Sequence, residues 1–91
     1  MIESVWVFNG ANANFSSGIF LDKSVADNWI KKNNLTGILT LYPLNKGVYD
    51  WAIEQGFFSP HTDAHFSPIF IQKFTSASQE HYHYVDGLLD N

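Results

Sequence analysis

The order of apolar patterns along the chain points to an α+β fold, a mainly antiparallel sheet of about four strands with two to three helices in the order β-β-α-β-α-(α)-β. Three observations carry this expectation. Strand-like stretches recur at residues 4–8, 19–21, 35–42 and 80–85. Two stretches between them space their apolar residues at intervals of three and four, the period of a helix face. The chain has 91 residues, 45% hydrophobic and 16% aromatic, enough for one core and too few for two. A single α+β domain over 1–91 is therefore expected, with 87–91 as a loose tail.

Residues 4–8 (SVWVF) are β-branched and aromatic, the composition of a strand. Asn9-Gly10 opens a polar stretch, GANANFSSG, too long for a tight hairpin. Residues 19–21 resume as a short second strand, so the pair reads as an antiparallel hairpin with a long connection. Asp22 or Ser24 can cap the helix that follows, and Asp27, three residues after Ser24, approximates a capping box. Val25, Ala26, Trp29 and Ile30 share one face of this helix, Lys31 and Lys32 suit the negative end of its dipole, and Asn33-Asn34 tolerates left-handed geometry at its end.

Residues 35–42 (LTGILTLY) are apolar on both faces, as an interior strand is, and Pro43 stops them. Asn45 is the expected cap of a second helix in which Val48, Trp51 and Ala52 point inward, Tyr49 falls off the stripe toward solvent, and Gly56 ends the run. Phe57 and Phe58 are expected to turn back into the core. Residues 59–67 read as a loop. Ser67-Pro68 is an N-cap and first-turn pair, so 69–74 suit a short third helix, although the same residues pass for a strand. Residues 80–85 (EHYHYV) alternate strictly, as a final strand closed by Asp86-Gly87.

Composition narrows the function classes. With no Cys, thiolate nucleophiles, disulfides, iron–sulfur clusters and Cys-containing zinc sites are excluded. All five cationic side chains are Lys, and the net charge is −4, a poor basis for gripping nucleic-acid phosphates. No Gly-rich phosphate loop of either common type is present, and no cofactor is expected. The N-terminal residues carry an acid where a signal peptide needs positive charge, and the apolar runs are far shorter than the roughly 20 residues of a membrane span. A cytoplasmic protein without membrane or nucleic-acid partners is the expectation.

Three segments, VWVFNGANANFSSGIF, GVYDWAIEQGFF and SPIFIQKFTSASQEHYHYVDG, together cover nearly the whole chain. On them the protein resembles a family of small uncharacterised bacterial proteins that share a WVF-x-GA start, a GVYDWAI helix and a SASQEHYHY segment. The layout of a short hairpin followed by a helix with a central Trp is also similar to that of small bacterial immunity proteins. That second resemblance implies a cytosolic chain that blocks a cognate toxin by binding it, and it rests on size, acidity and layout alone.

Several constellations are candidates for chemistry. On a strand, His81, His83 and Val85 share one face while Tyr82 and Tyr84 share the other. Two His at this spacing can bridge a metal, with His61, His65 and Asp63 available to complete a tetrahedral N/O site; the alternative is that the Tyr residues pack the core and the His residues face solvent or neighbouring backbone. Asp50 and Glu54 share a helix face, where paired carboxylates can run acid–base chemistry or simply form a solvated strip. Ser76 and Ser78 lie near His81, yet no nucleophile elbow frames them, and local turn chemistry suits them better. Phe15, in the polar loop, is either an interface anchor or a lid on the core.

The leading expectation is a non-enzymatic protein-binding domain, in its concrete form an immunity protein occluding a basic toxin. Its contacts would be Phe15, Tyr49, Asp50, Glu54 and Glu80, since complementary charge raises association rate and selectivity. A small metal- or ligand-binding domain built on His81 and His83, with His61 and His65, is the alternative. A homo-oligomer is also compatible with the aromatic excess.

Overall fold

The computed structural model describes residues 3–90. Its elements are β1 (Ser4–Gly10), β2 (Ser16–Phe20), α1 (Lys23–Lys32), β3 (Gly37–Pro43), α2 (Val48–Glu54), a 3-10 turn (Asp63–Phe66), α3 (Pro68–Gln72), β4 (His81–Val85) and β5 (Leu88–Leu89). The α+β class holds. The sheet has five strands in the order β2-β1-β3-β4-β5, and every pairing is antiparallel. The chain forms two compact units, one from the chain up to Leu44 together with Gln79 onward, the other from Asn45–Ser78.

In the first unit, alternation selects the core. Trp6 and Phe8 of β1 point to one face and are buried; β3 places Leu41 opposite Trp6 and the fully buried Leu39 opposite Phe8. On β4 the same face receives Tyr82 and the buried Tyr84. Helix α1 covers this face with Ala26 and Ile30, four residues apart and both fully buried, while Trp29 lies edge-on to Phe8 at 5.7 Å and tilted against Phe20 at 5.3 Å. Each fully buried aliphatic or aromatic side chain here contributes about 1.5–3 kcal/mol.

The end of α1 follows from its sequence. Asn34 takes a positive φ of 55°, the Leu35 N–H donates to the Ile30 carbonyl at 3.0 Å, and the Asn34 N–H donates to the Lys31 carbonyl at 3.2 Å, which together make a Schellman closure. At the start, Asp22 is the N-cap without a side-chain hydrogen bond. The expected Ser24–Asp27 capping box does not form, because Ser24 lies inside the helix, past the cap position; the Asp27 carboxylate instead takes Lys31 at 2.9 Å and the Tyr84 hydroxyl at 2.8 Å.

Two corrections concern the sheet. The first is a fifth strand in the segment expected to be loose. Asp86 and Gly87 have φ of 50° and 80°, the pair of positive values that a two-residue type I′ hairpin requires, and they return Leu88 opposite Val85. The second is β2, which begins at Ser16 rather than at Ile19. The register slips by one residue between Phe8 and Asn9, leaving Ser17 as the extra residue of a bulge.

The second unit is organised by rings. Ser67 caps α3 as expected, accepting the Phe70 N–H at 3.2 Å with Pro68 in the first turn, which decides for helix over strand, although the helix ends at Gln72 rather than at 74. Helix α2 departs from its expected stripe. Gly47, not Asn45, is its N-cap, and the buried pair is Tyr49 and Ala52, while Trp51 is only half-buried. A helix of barely two turns has too few apolar positions to define a stripe by itself, and local partners choose the face. Here Tyr49 is held by Phe74 at 5.5 Å, Phe58 at 5.9 Å and Phe70 at 6.3 Å, and its hydroxyl donates to the His65 carbonyl at 2.8 Å. Phe58 joins this cluster, whereas Phe57 is exposed and packs on Trp51 at 5.5 Å.

Candidate functional site

The four candidate metal ligands fall into two pairs in different units. In the first unit the alternation of β4 exposes His81 and His83, with their rings 5.4 Å apart. His81 Nδ1 lies 2.6 Å from the Gln79 carbonyl. A carbonyl only accepts, so Nδ1 carries the proton of that bond. Gln79 is itself buried and donates through Nε2 to the Leu41 carbonyl at 3.2 Å, which ties the start of β4 to β3. In the second unit His61 and His65 approach to 4.8 Å between rings. The His61 N–H donates to His65 Nδ1 at 3.2 Å, and His61 Nδ1 faces the Ser59 carbonyl at 3.0 Å. Both pairs thus have backbone duties. Among the described residues, no group of three or more His, Asp or Glu side chains is placed to hold a metal ion.

Of the five expected partner contacts, Phe15 and Glu80 belong to the first unit and Tyr49, Asp50 and Glu54 to the second. Tyr49 is a correction: only 8% of its surface is exposed, because the ring cluster around it satisfies both its face and its hydroxyl. Glu54 is paired with Lys46 at 2.8 Å. Glu80 accepts from the Tyr82 hydroxyl, which raises the Tyr82 pKa, while Lys23 sits over the Tyr82 ring at 4.0 Å. Asp50 is exposed in the first turn of α2. Asp50 and Glu54 belong to the second unit and Glu80 to the first.

Phe15 is the contact whose setting suits an interface. It is 82% exposed, so it is not a lid. It immediately precedes β2, the outermost strand on its side of the sheet, where Ile19 is 67% and Leu21 59% exposed. Residues 4–21 carry no charged side chain. An outermost strand presents one row of N–H and C=O groups with no partner in the sheet, and proteins ordinarily guard such an edge with Lys, Pro or brevity. β2 has five residues, with neither Lys nor Pro among them. The bulge at Ser17 is the one guarding feature present, and Gly18, Ile19 and Phe20 pair regularly beyond it. The Ser16 hydroxyl donates to Asn9 Oδ1 at 2.9 Å and pins the bulged end to β1.

Ile19 and Leu21 were not among the sequence candidates. Their signal is the uncharged run that contains them, which reads as ordinary core sequence until the sheet order shows that β2 lies at an edge.

Among the described residues, no helix is long and apolar enough to cross a membrane. Neither the curated proteins nor the solved structures contain a match to this chain. One family model does match, over residues 5–90, nearly the full length, and the chain accordingly belongs to the family described as Domain of unknown function (DUF7710).

Proposed function

We propose that the protein is a non-enzymatic protein-binding domain that accepts an extended polypeptide segment along the outer edge of β2. The observation that carries this reading is the coincidence of Phe15, Ile19 and Leu21, all more than half exposed, with the outermost strand in an uncharged stretch. Backbone hydrogen bonds to an added strand supply affinity, and the flanking apolar side chains supply selectivity. The immunity-type reading, occlusion of a basic toxin, is a narrower form of the same idea. Its acidic version draws less support, since Glu54 is neutralised by Lys46 and Glu80 is occupied by Tyr82.

A peptide-display selection against the intact protein tests the proposal. Recovered peptides are expected to be extended and uncharged, with alternating β-branched or aromatic residues. Their binding is expected to fall about tenfold or more with Ile19→Lys, equivalent to 1.4 kcal/mol, and to be indifferent to Asp50→Asn and Glu54→Gln. Basic peptides that ignore Ile19→Lys but are lost on changing the acids would overturn the edge reading in favour of the acidic one.

A further inference from the structure

We infer that β4 carries a two-point site for a divalent transition-metal ion such as Zn²⁺, held by ring nitrogens of His81 and His83 with water in the remaining positions. This site does not depend on the β2 edge. Strand alternation puts both imidazoles on the exposed side of β4, and their ring centroids stand 5.4 Å apart. With Zn–N bonds of about 2.0–2.1 Å, two imidazoles on one tetrahedral ion have their centroids about 5 Å apart. The two rings already stand at nearly that separation.

The hydrogen bonds prepare His81 for this role. Its Nδ1 donates to the Gln79 carbonyl at 2.6 Å, so the neutral ring carries its lone pair on Nε2. An N–H bond to a backbone carbonyl is the device that fixes tautomer and ring orientation in histidines that hold metals. The carbonyl is anchored in turn. Gln79 is buried and donates through Nε2 to the Leu41 carbonyl at 3.2 Å, and the Leu41 N–H donates to the Glu80 carbonyl at 2.9 Å. His83 is the second donor, and an imidazole that holds a hydrogen bond through one nitrogen coordinates through the other. The surroundings suit a cation. The β3 partners of His81 and His83 are the uncharged Thr40 and Ile38, and on the other side Asp90 donates its N–H to the His83 carbonyl at 2.8 Å. Asp90 brings negative charge rather than a third bond, since no group of three such side chains is placed to hold an ion among the described residues. The His61–His65 pair is prepared differently. His65 Nδ1 accepts the His61 N–H at 3.2 Å, which puts the proton of the neutral ring on Nε2 and requires a change of tautomer before that nitrogen can coordinate. With two protein ligands the β4 site is open and binds less tightly than a closed four-ligand structural site.

Calorimetric titration of the full chain, without a His-tag, with zinc chloride from micromolar to millimolar concentration tests this, with the ring-nitrogen resonances of the histidines followed by NMR. The expected result is saturable binding of one ion per chain, in which the His81 Nε2 resonance moves while Nδ1 keeps its proton. His81→Ala and His83→Ala are each expected to weaken binding about tenfold or more, and His61→Ala is expected to leave it unchanged. Both β4 histidines are exposed, so the circular dichroism of these variants is expected to match that of the unmodified chain. Absence of saturable binding overturns the site, and so does binding that survives both β4 changes. Loss of binding in His61→Ala places the ion on the other pair and overturns it as well. Half an equivalent of ion per chain, the signature of an ion bridging two copies, overturns a site within one chain.

Discussion

At one side of the sheet the last strand is Leu88–Leu89, two residues that fold back on β4 and are fastened at both ends. The Gly87 N–H donates to the Leu35 carbonyl at 2.8 Å, the Asp86 N–H to Thr36 Oγ1 at 2.9 Å, and the Asp90 N–H to the His83 carbonyl at 2.8 Å. At the other side, β2 runs for five residues with Ile19 exposed and Phe15 and Leu21 flanking it. Both edges present apolar side chains, so hydrophobicity does not distinguish them. Length and fastening do. A two-residue strand offers fewer backbone groups to a new ladder than five residues without Lys or Pro do, although the bulge at Ser17 limits the regular part of β2 to Gly18, Ile19 and Phe20. The same fold therefore fastens a two-residue strand at one edge and places the longer, uncharged β2 at the other.

The difference depends on an interior that holds both edges in place, and the substitution expected to do most damage lies there. Gly37 pairs with Gly10 of β1 on one side and with Tyr84 of β4 on the other. A Cβ at this position would lie 2.3 Å from the Asn9 carbonyl oxygen and 2.8 Å from Gly10 Cα, both backbone atoms that cannot step aside. Gly37→Ala is expected to cost about 3 kcal/mol in urea unfolding, at the upper end of overpacking effects. It is expected to accelerate hydrogen exchange toward both edges alike.

Much of this interior was legible in the sequence, for physical reasons. Ala26 with Ile30, and Tyr82 with Tyr84, sit at the periods of their elements and are buried or packed against the core as that period implies, whereas Val25, expected on the same face of α1, is exposed. Where the repeat is short, the inference failed. α2 has barely two turns, so Tyr49 took the buried side because Phe58, Phe70 and Phe74 were there to receive it, and no local pattern encodes that meeting. The fifth strand had a local signal, Asp86-Gly87 between apolar residues, but a strand of two residues carries no alternation by which to be recognised. The candidate edge was least legible of all. Phe15 was visible as an apolar residue in a polar loop, whereas the significance of Ile19 and Leu21 depends on the order of strands in space, which spacing along the chain does not contain.

A smaller effect separates the edges. The buried Tyr84 hydroxyl donates to Asp27 at 2.8 Å and joins β4, the strand that carries β5, to α1. Asp27→Ala leaves that hydroxyl without its acceptor and is expected to cost about 2 kcal/mol, with faster exchange at β4 and β5 and little change at β2. The pH dependence of this hydrogen bond follows from the shifts of its two partners. The hydrogen bonds from Lys31 and Tyr84 hold the Asp27 pKa below its ordinary 3.8, so its stabilisation is full above that value and is lost as pH falls through the lower folded pKa. Burial, followed by the Asp27 bond, pushes Tyr84 well above its ordinary 10.0, so its contribution is full below pH 10.0 and is lost as pH rises beyond it. Denaturation midpoints across pH are expected to show both flanks in the unmodified chain. Tyr84→Phe is expected to shrink both, leaving on the alkaline side the part due to Tyr82, whose pKa its bond to Glu80 also raises.

The smallest effect on stability is the sharpest statement about the open edge. Ile19 is 67% exposed and its strand is outermost, so Ile19→Lys removes little buried surface and adds a side chain that reaches water. In dilute solution the change is expected to leave unfolding free energy within about 0.5 kcal/mol of the unmodified chain, as surface substitutions do. On the proposed reading, Ile19 contributes through what the edge binds rather than through the packing of its own sheet. Denaturation with and without a selected extended peptide isolates the contribution of the edge. The variant and the unmodified chain are expected to unfold together when alone, and to diverge in the presence of a selected extended peptide, because a ligand that binds only the folded state stabilises it by mass action. A marked loss of stability in dilute Ile19→Lys would show instead that the isoleucine serves its own sheet, and the contrast between the two edges would reduce to one of length.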